Sequence, residues 1–242
     1  MAAVRLAALA DLHCPRVPPE ALAPVLTAAG QSADVLLICG DLTDQGLADE
    51  ARLLARTLTT AARIPIVAVL GNHDHDAGQG DEVTAILARA GVQVLDGQPV
   101  EVQGVGFAGV KGFAGGFGQR ALQPWGEAAI KQFVREAVDE ALKLESALAK
   151  LRTERRVALL HYSPVEETVK GEAPEIFAFL GSSRLEEPLT RYPVSAVFHG
   201  HAHGGSPEGR TRGDTPVYNV AWPLLLRAFP DRQPFRLIEL PG

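Results

Sequence analysis

The sequence contains few of the residues that disulfide-rich or membrane proteins require. Two cysteines, Cys14 and Cys39, occur in 242 residues, which is too few for a disulfide framework, and a reducing compartment is expected. The apolar N-terminal stretch ends at Asp11. It is too short for a membrane span and lacks the small-residue cleavage site of a signal peptide. We therefore expect a cytoplasmic protein that does not bind a membrane.

Positive charge is also scarce. Lysine and arginine total 23 against 29 aspartates and glutamates, which gives a formal net charge of −6. No dense basic stripe interrupts this balance, so long nucleic acids are not expected as partners. Bound divalent cations would neutralise part of the negative charge, and small anionic substrates remain compatible with the composition. The sequence does not indicate an oligomeric state.

What the chain does have is clustered histidine. All seven histidines lie in four short polar clusters, and a fifth cluster, Gly40–Asp44, adds carboxylates. The histidine clusters are Asp11–His13, Gly71–His75, His161 and His199–His203. Imidazole, carboxylate and amide oxygen together, with almost no thiolate, are typical of a catalytic site for Mn, Fe, Zn or Mg. The composition of the clusters predicts a two-metal hydrolase centre.

Short apolar runs lead directly into these clusters. The five runs are Val4–Ala10, Val35–Cys39, Ile66–Leu70, Val157–Leu160 and Val194–Phe198. Such runs, alternating with helical segments, predict buried and largely parallel strands. Ligands in open α/β sheets lie beyond the carboxyl ends of the strands. We therefore expect five strands to converge on one site.

Apolar periodicity predicts helices between the strands. They span 19–29, closing at Gly30, and 47–62, 81–90 and about 125–152. One or two further strands are expected in Val100–Lys111. The glycine spacing from Gly104 to Gly109 resembles a dinucleotide-binding fingerprint, but no helical pattern follows it, so nucleotide-cofactor binding is not expected. The result is a single α/β domain over residues 1–242.

The glycine-rich segment Lys111–Gln119 fits neither a helix nor a strand. We expect a flexible flap over the substrate, with Lys111 supplying a cation for phosphate. Phe113 and Phe117 have two interpretations that the sequence leaves open. They stack on a base of the substrate, or they pack in the core.

Spacing within the clusters suggests how the ligands reach a metal. Asp11 and His13 are two residues apart at a strand end, and a strand directs such residues to the same face. His201 and His203 repeat this spacing. Asp41, on a strand expected between them, is suited to bridge two cations about 3.5–4 Å apart.

The motifs Asp-x-His, Gly-Asp-x-x-Asp, Gly-Asn-His-Asp, a strand-end His and Gly-His-x-His occur in this order from residue 11 to residue 203. In this respect the chain resembles the calcineurin-like metallophosphoesterases. The resemblance implies a two-sheet β-sandwich flanked by helices, with a dinuclear metal centre at one end.

By the same resemblance, each motif residue receives a role. The first metal would be held by Asp11, His13, Asp41 and His203, and the second by Asp41, Asn72, His161 and His201. A hydroxide between two divalent metals, with Mn or Fe favoured and Zn or Mg as alternatives, would attack phosphorus in line. His73 would be the catalytic residue that stabilises the phosphate or protonates the leaving oxygen. Asn72, His73 and Lys111 are the expected substrate contacts.

The expected activity is hydrolysis of a small phosphodiester such as a cyclic nucleotide, since the chain resembles the bacterial class III cyclic nucleotide phosphodiesterases. A phosphomonoesterase and a nucleotide pyrophosphatase are alternatives, because the metal motifs are shared. A non-catalytic protein scaffold on the same fold is an alternative of another class. It is disfavoured because such scaffolds lose ligands that this chain keeps.

Residues beside the motifs receive structural interpretations. Asp44 and Asp74 are expected to fix loop backbone or orient ligands, and His75 and Asp76 to be exposed to solvent. His199 is expected to pack in the interior, as is Cys39 in its strand. Cys14 is expected to be a buried loop thiol that faces away from His13.

Overall fold

Eleven strands form two β-sheets in the computed structural model, which describes residues 2–242. The first sheet contains β1 (Val4–Leu9), β2 (Val35–Cys39), β3 (Ile66–Val69), β4 (Val92–Val94) and β11 (Arg236–Leu240). The second contains β5 (Val100–Val102), β6 (Val105–Gly109), β7 (Arg156–Leu159), β8 (Ala196–His199), β9 (Glu208–Arg210) and β10 (Pro216–Asn219).

Parallel pairing dominates both sheets, as the buried apolar runs predict. The first sheet has the order β11-β1-β2-β3-β4, and only the edge strand β11 is antiparallel to its neighbour. The second has the order β5-β6-β7-β8-β10-β9, with antiparallel pairs at its two edges. The five strands that lead into polar clusters are therefore divided, three in the first sheet and two in the second. The expectation that Asp41 lies between the other clusters within one sheet is wrong.

The two sheets pack face to face. Alternation along β2 shows how one strand serves two layers: Leu36 and Ile38 face the helices, whereas Val35 and Leu37 join the core between the sheets. This is the period of two that a strand imposes on its side chains. The core between the sheets also contains Phe107 of β6 and Phe198 of β8, both fully buried.

Residues 2–242 contain seven α-helices, most of which cover the outer faces of the sheets. They are α1 (Pro19–Ser32), α2 (Ala48–Ala61), α3 (Gly80–Arg89), α4 (Ala128–Lys150), α5 (Phe177–Leu180), α6 (Glu186–Arg191) and α7 (Trp222–Ala228). The first three bury their apolar faces on the first sheet, and α4 and α6 pack on the second. The layer order is helix, sheet, sheet, helix, so the two-sheet sandwich expected from the resemblance is confirmed.

The sequence predictions match most of these elements to within a few residues. The long helix starts at Ala128 rather than near 125, because Gly126 just before it has a left-handed backbone conformation (φ 77°). Helix α1 does not close at Gly30 but continues to Ser32. The segment Gly104–Gly109 forms a turn and strand β6, as a two-strand interpretation of this region requires. Among residues 2–242, no helix has the length and apolar character needed to cross a membrane.

Candidate metal centre

The polar clusters of both sheets meet at the carboxyl ends of their strands. Two groups of side chains each have ligand atoms within 4.8 Å of one another. Asp11, His13 and His203 form one group, and Asp41, His161 and His201 form the other. A further group joins His13 and Asp41 to His73. All the predicted Asp and His ligands therefore lie together, and Asn72 joins them because its Oδ1 is 2.9 Å from His161 Nε2.

Asp41 is placed between the two groups. Its Oδ1 lies 3.4 Å from His161 Nε2, and its Oδ2 lies 3.8 Å from His13 Nε2. One carboxylate thus directs its two oxygens toward histidines of different groups. Nearby positive charge from His161 and hydrogen bonds to Asp41 hold the pKa of its carboxyl well below the usual range, against the opposing effect of burial. The carboxylate is ionised and suited to bridge two cations.

The backbone at the site is strained. Six non-glycine residues among residues 2–242 have a positive φ, and four of them are predicted ligands. These four are Asp11 (φ 60°), His13 (φ 42°), Asp41 (φ 49°) and His201 (φ 68°). A left-handed conformation is unfavourable for residues with a side chain and persists where the surroundings impose it, most often at functional sites.

This conformation also corrects the expected route by which the ligands reach the site. Asp11 and His13 lie beyond the end of β1 at Leu9, and His201 lies beyond the end of β8 at His199. They reach the metal centre from tight turns and not from one face of a strand. The pairing of Asp11 with His13 holds, but strand alternation is not its cause.

Close approach explains two glycines of the motifs. A Cβ atom on Gly71 would overlap the carboxylate and backbone of Asp41, and one on Gly200 would overlap the carboxylate of Asp11. Glycine is therefore required at both positions, because the ligand carboxylates lie directly against the backbone.

Carbonyl partners set which nitrogen of two histidines faces the centre. His161 Nδ1 donates to the carbonyl of Cys39 at 3.0 Å, which leaves Nε2 as its ligand atom. His201 Nε2 donates to the carbonyl of Phe179 at 3.1 Å, which leaves Nδ1. Such outer hydrogen bonds fix the tautomer of a metal-binding imidazole. Burial opposes the charged form of His161, but the negative charge of Asp41 outweighs it and raises the His161 pKa to about 9.

His13 provides a direct test of whether the residues fit a metal. It is 5% exposed, yet neither ring nitrogen has a hydrogen-bond partner in the described structure. Burial lowers its pKa, although Asp41 and Asp11 act in the opposite direction. A buried, uncharged imidazole with an unused nitrogen is costly unless something binds it. A divalent cation held with Asp11 and His203 satisfies this requirement.

His73 lies at the edge of the centre and is partly exposed. Its ring centroid is 4.6 Å from that of His13, and its backbone N–H donates to Asp41 Oδ1 at 2.9 Å. Nδ1 donates to the carbonyl of Asp44 at 2.7 Å. The hydrogen bond leaves Nε2 as the nitrogen available to a substrate.

Of the two aspartates expected to support the site, Asp74 holds the loops. Asp74 is fully buried and accepts backbone N–H bonds from Leu42, Thr43 and Gly71, so it holds the Asp41 and Asn72 loops together. Asp44 Oδ1 lies 3.5 Å from His13 Nδ1 with no hydrogen bond between them, so the expected role of Asp44 in orienting a ligand stays a prediction. Their neighbours His75 and Asp76 are exposed.

The predictions for three buried residues also hold. His199 is fully buried, and its Nε2 lies 2.8 Å from Thr168 Oγ1. It therefore packs in the interior beneath the site, as expected. Burial lowers the pKa of His199 to about 4. Cys39 is core in β2, and burial raises the pKa of Cys14 to about 11, which makes Cys14 an unreactive buried thiol.

Two residues of the site escape the sequence motifs. Tyr162 is 7% exposed, and its ring centroid lies 4.5 Å from that of His201 and 5.5 Å from that of His161. It packs against both histidines of the second group. Arg16 places Nη2 2.8 Å from Asp44 Oδ1. Only the position of Tyr162 directly after His161 could have indicated its role.

The glycine-rich segment Lys111–Gln119 is packed rather than free. Ala114 and Phe117 are buried, and the N–H of Gly112 donates to buried Glu140 at 2.8 Å. The backbone of Gly116 forms an isolated parallel β-bridge with that of Ser182. The flexible-flap expectation is therefore wrong for most of the segment, because its small residues let it fit closely between α4 and the 181–183 backbone.

The backbone carbonyl of Lys111 accepts the N–H of the predicted ligand His161 at 3.0 Å, while its side chain makes other contacts. Its Nζ donates to the carbonyl of Gly112 and lies 4.9 Å from the ring centroid of Phe113 and 5.4 Å from that of Tyr162. Burial lowers its pKa. The side chain lines a cavity next to the centre, and its contact with substrate stays a prediction.

The sequence pattern of the calcineurin-like phosphoesterase family matches residues 4–205. The chain therefore belongs to the calcineurin-like phosphoesterases and is a metal-dependent phosphoric ester hydrolase by class, which implies divalent metal ions as cofactors. No curated protein matches the chain in sequence.

Several solved structures share the fold. The phosphopantetheinyl hydrolase from Mycobacterium tuberculosis superposes with a TM-score of 0.68 at 18% identity, covering 98% of this chain and 96% of that one. The protein TT1561 of Thermus thermophilus gives a TM-score of 0.58 at 16% identity, with 98% of each chain covered. GAP50 of Plasmodium gives 0.53 at 11% identity, covering 92% of this chain and 73% of that one. Identities this low show a common fold and nothing about substrate.

Proposed function

We propose that the chain is a dinuclear phosphodiesterase that hydrolyses a small phosphodiester such as a cyclic nucleotide. The position of Asp41 between two ligand groups carries this proposal, because its two oxygens are directed toward His161 and His13 at 3.4 and 3.8 Å. The first metal is assigned to Asp11, His13, Asp41 and His203, and the second to Asp41, Asn72, His161 and His201.

The donor set supports Mn or Fe, with Zn or Mg as alternatives, because imidazole nitrogen is combined with carboxylate and amide oxygen. When bound, a pair of such cations supplies an activated water at neutral pH and offsets the charge of the phosphate. The protein's contribution is to hold the ligands rigidly. The strained turns at Asp11, Asp41 and His201 and the carbonyl partners of His161 and His201 serve this purpose.

His73 is proposed to act on the substrate. With Nδ1 committed to the carbonyl of Asp44, a protonated His73 has one N–H, at Nε2, to offer to the leaving oxygen. The same N–H stabilises negative charge on the phosphate. Proton donation of this kind contributes roughly 10²–10⁴-fold in rate.

The charge of the site supports a diester. A phosphodiester carries one negative charge, whereas a monoester or a pyrophosphate carries more. The arginines that contact the site's residues are already engaged: Arg16 with Asp44 at 2.8 Å, and Arg227 with the carbonyl of His203 at 3.0 Å. Neither is set to neutralise a second phosphate charge. A phosphomonoesterase and a nucleotide pyrophosphatase are therefore the less favoured alternatives.

The test is a comparison of substrates on Mn-loaded protein. We expect kcat/KM for bis(p-nitrophenyl) phosphate to exceed that for p-nitrophenyl phosphate. Cyclic nucleotides, nucleotides, dinucleotide polyphosphates and phosphopantetheine esters complete the panel, the last because of the hydrolase that shares the fold. Asp41→Asn is the inactive control, and Asp139→Asn, an exposed aspartate on α4, is the matched active control.

A reversed preference for the monoester would contradict the diesterase assignment. Metal binding without turnover of any ester would favour the scaffold alternative. A protein that shares the fold, GAP50, is described as an anchor in the inner membrane complex of Plasmodium, which is a precedent for the scaffold alternative.

A further inference from the structure

A cavity of about 390 Å³ lies beside the metal centre, between the loop after β3, helix α3 and helix α4. This volume is in the range of small-molecule sites. Leu70, Val94 and Leu95 form part of its wall, and Thr84 of α3 faces it. The ionisable side chains that line it are His75, Asp81, Asp96, Lys111, Glu136, Glu140 and Lys143.

The cavity is lined by sequence neighbours of the residues that form the metal centre. Leu70 and His75 line it, while Asn72 and His73 of the same loop belong to the site. On the other side, the ring of Tyr162 contacts both Lys111 and His201, with its centroid 5.4 Å from Lys111 Nζ and 4.5 Å from the His201 ring centroid. Lys111, which lines the cavity, is thus connected through one aromatic ring to a ligand of the second group.

The charges of the cavity are unbalanced. Lys143 is engaged by Glu140 at 2.8 Å and Asp96 at 3.1 Å, and Lys111 donates to a backbone carbonyl. Asp81 and Glu136 are exposed, and neither forms an ion pair within residues 2–242. Four carboxylates thus face two lysines. The net negative charge here would repel an additional phosphate group, whereas it would not repel an uncharged group.

We propose that this cavity binds the organic substituent of the phosphoester and selects substituents without a further phosphate, such as a nucleoside. The apolar wall formed by Leu70, Val94 and Leu95 accepts the body of the group, and the carboxylates of Asp81 and Glu136 repel phosphorylated ones. This inference rests on the proposed phosphodiesterase function. It makes the cavity the part of the molecule that distinguishes simple diesters from polyphosphates.

The first test fills the cavity. Thr84→Trp is expected to raise KM for thymidine 5′-(p-nitrophenyl phosphate) by about tenfold or more, the scale of a pocket contact. KM for ethyl p-nitrophenyl phosphate, which keeps the leaving group but has an ethyl group in place of the nucleoside, should not change. Thr84→Ser is the matched control. Equal KM values for all three proteins with the thymidine ester would overturn the proposal.

The second test removes charge without filling space. Wild-type protein should prefer the thymidine ester over its 3′-phosphorylated form, and Glu136→Gln should reduce that ratio of kcat/KM by a few-fold, as expected for an exposed and screened charge. Asp139→Asn makes the same change in net charge on α4 outside the cavity and should leave the ratio unchanged. Equal effects of Glu136→Gln and Asp139→Asn would overturn the local charge argument.

A binding measurement separates this inference from the activity. Thymidine added to ¹⁵N-labelled protein should shift the amide signals of Gly80, Thr84 and Lys111 in wild type and not in Thr84→Trp. Those shifts without turnover of either ester would retain the cavity and reject the phosphodiesterase. Turnover of the ethyl ester without those shifts would retain the phosphodiesterase and reject the cavity as a binding site.

Discussion

His203 Nε2 lies 2.9 Å from Asp11 Oδ1, although 192 positions separate the two residues in the chain. Asp11 follows β1 of the first sheet, and His203 follows β8 of the second. Two backbone hydrogen bonds beside them join the two sheets. Ala10 N–H donates to the carbonyl of Val220 at 2.9 Å, and Trp222 N–H donates to the carbonyl of Ala10 at 3.0 Å. The metal centre therefore exists only when the two sheets are docked.

Metal binding should stabilise the fold for this reason. The unfolded chain has no preformed site, so a ligand that binds only the native state stabilises it by about 4 kcal/mol at a concentration one thousand times its Kd. We expect the Tm to fall on treatment with a chelator and to recover when Mn²⁺ is restored. Asp41→Asn protein should show almost no recovery. A chelator-independent Tm in wild type would contradict the coupling.

Replacement of Asp41 tests the bridge. Asp41→Asn should lose metal and nearly all activity while the fold remains, because one carboxylate serves both ligand groups. Elemental analysis gives the metal content and circular dichroism the fold. Asp76→Asn, a change at an exposed aspartate near the site, should keep both metals. Two metals per chain in the Asp41 variant would show that the bridging assignment is wrong.

The His161–Asp41 pair predicts a pH dependence in metal-free protein. Because Asp41 raises the His161 pKa from 6.5 to about 9, the protonated imidazole stabilises the folded state fully below pH 6.5. The contribution is lost as the pH rises through about 9. Metal competes with that proton, so metal affinity should increase over the same interval. Titration of Mn²⁺ affinity between pH 6 and 9 measures this. An affinity that does not rise with pH would contradict it, and His161→Asn should show a smaller dependence.

His73→Ala should behave differently from the ligand variants. It should retain both metals and lower kcat by roughly 10²–10⁴-fold if His73 is the general acid. The loss should be smaller for p-nitrophenol as leaving group, because this alcohol barely needs a proton. Asp139→Asn, a change at an exposed residue of α4 outside the cavity, is the control. Equal losses for good and poor leaving groups would indicate phosphate stabilisation instead of acid catalysis.

The sequence predicts what local pattern can encode. The apolar run Val35–Cys39 forms β2, and Asp41 follows it in the position that the motif indicates. The division of the strands between two sheets cannot be derived from such runs, because a buried strand has the same composition in either sheet. Only the resemblance to a known family predicted the sandwich.

Long-range contacts account for the other differences. The left-handed turns at Asp11 and His201 depend on contacts between distant segments, such as the His201 N–H that donates to the Asp11 carboxylate at 3.1 Å. Tyr162 joins the site because its ring is placed against His201, to which no short motif connects it. Glycine content suggested a mobile segment at Lys111–Gln119, but small residues also permit close packing.

The packed state of that segment leads to the last prediction. Phe117 is 7% exposed and packs with Val169, Leu180 and Ala202, the last of which lies between His201 and His203. Phe117→Ala should therefore lower the free energy of unfolding by about 3–5 kcal/mol, as expected for removing a buried ring. Phe179→Ala, which removes a ring that is 59% exposed, should change it by about 0.5 kcal/mol. Denaturant titration of both variants measures the difference. Equal stability of the two proteins, with a raised KM for nucleotide-like substrates in Phe117→Ala alone, would instead assign Phe117 to the substrate.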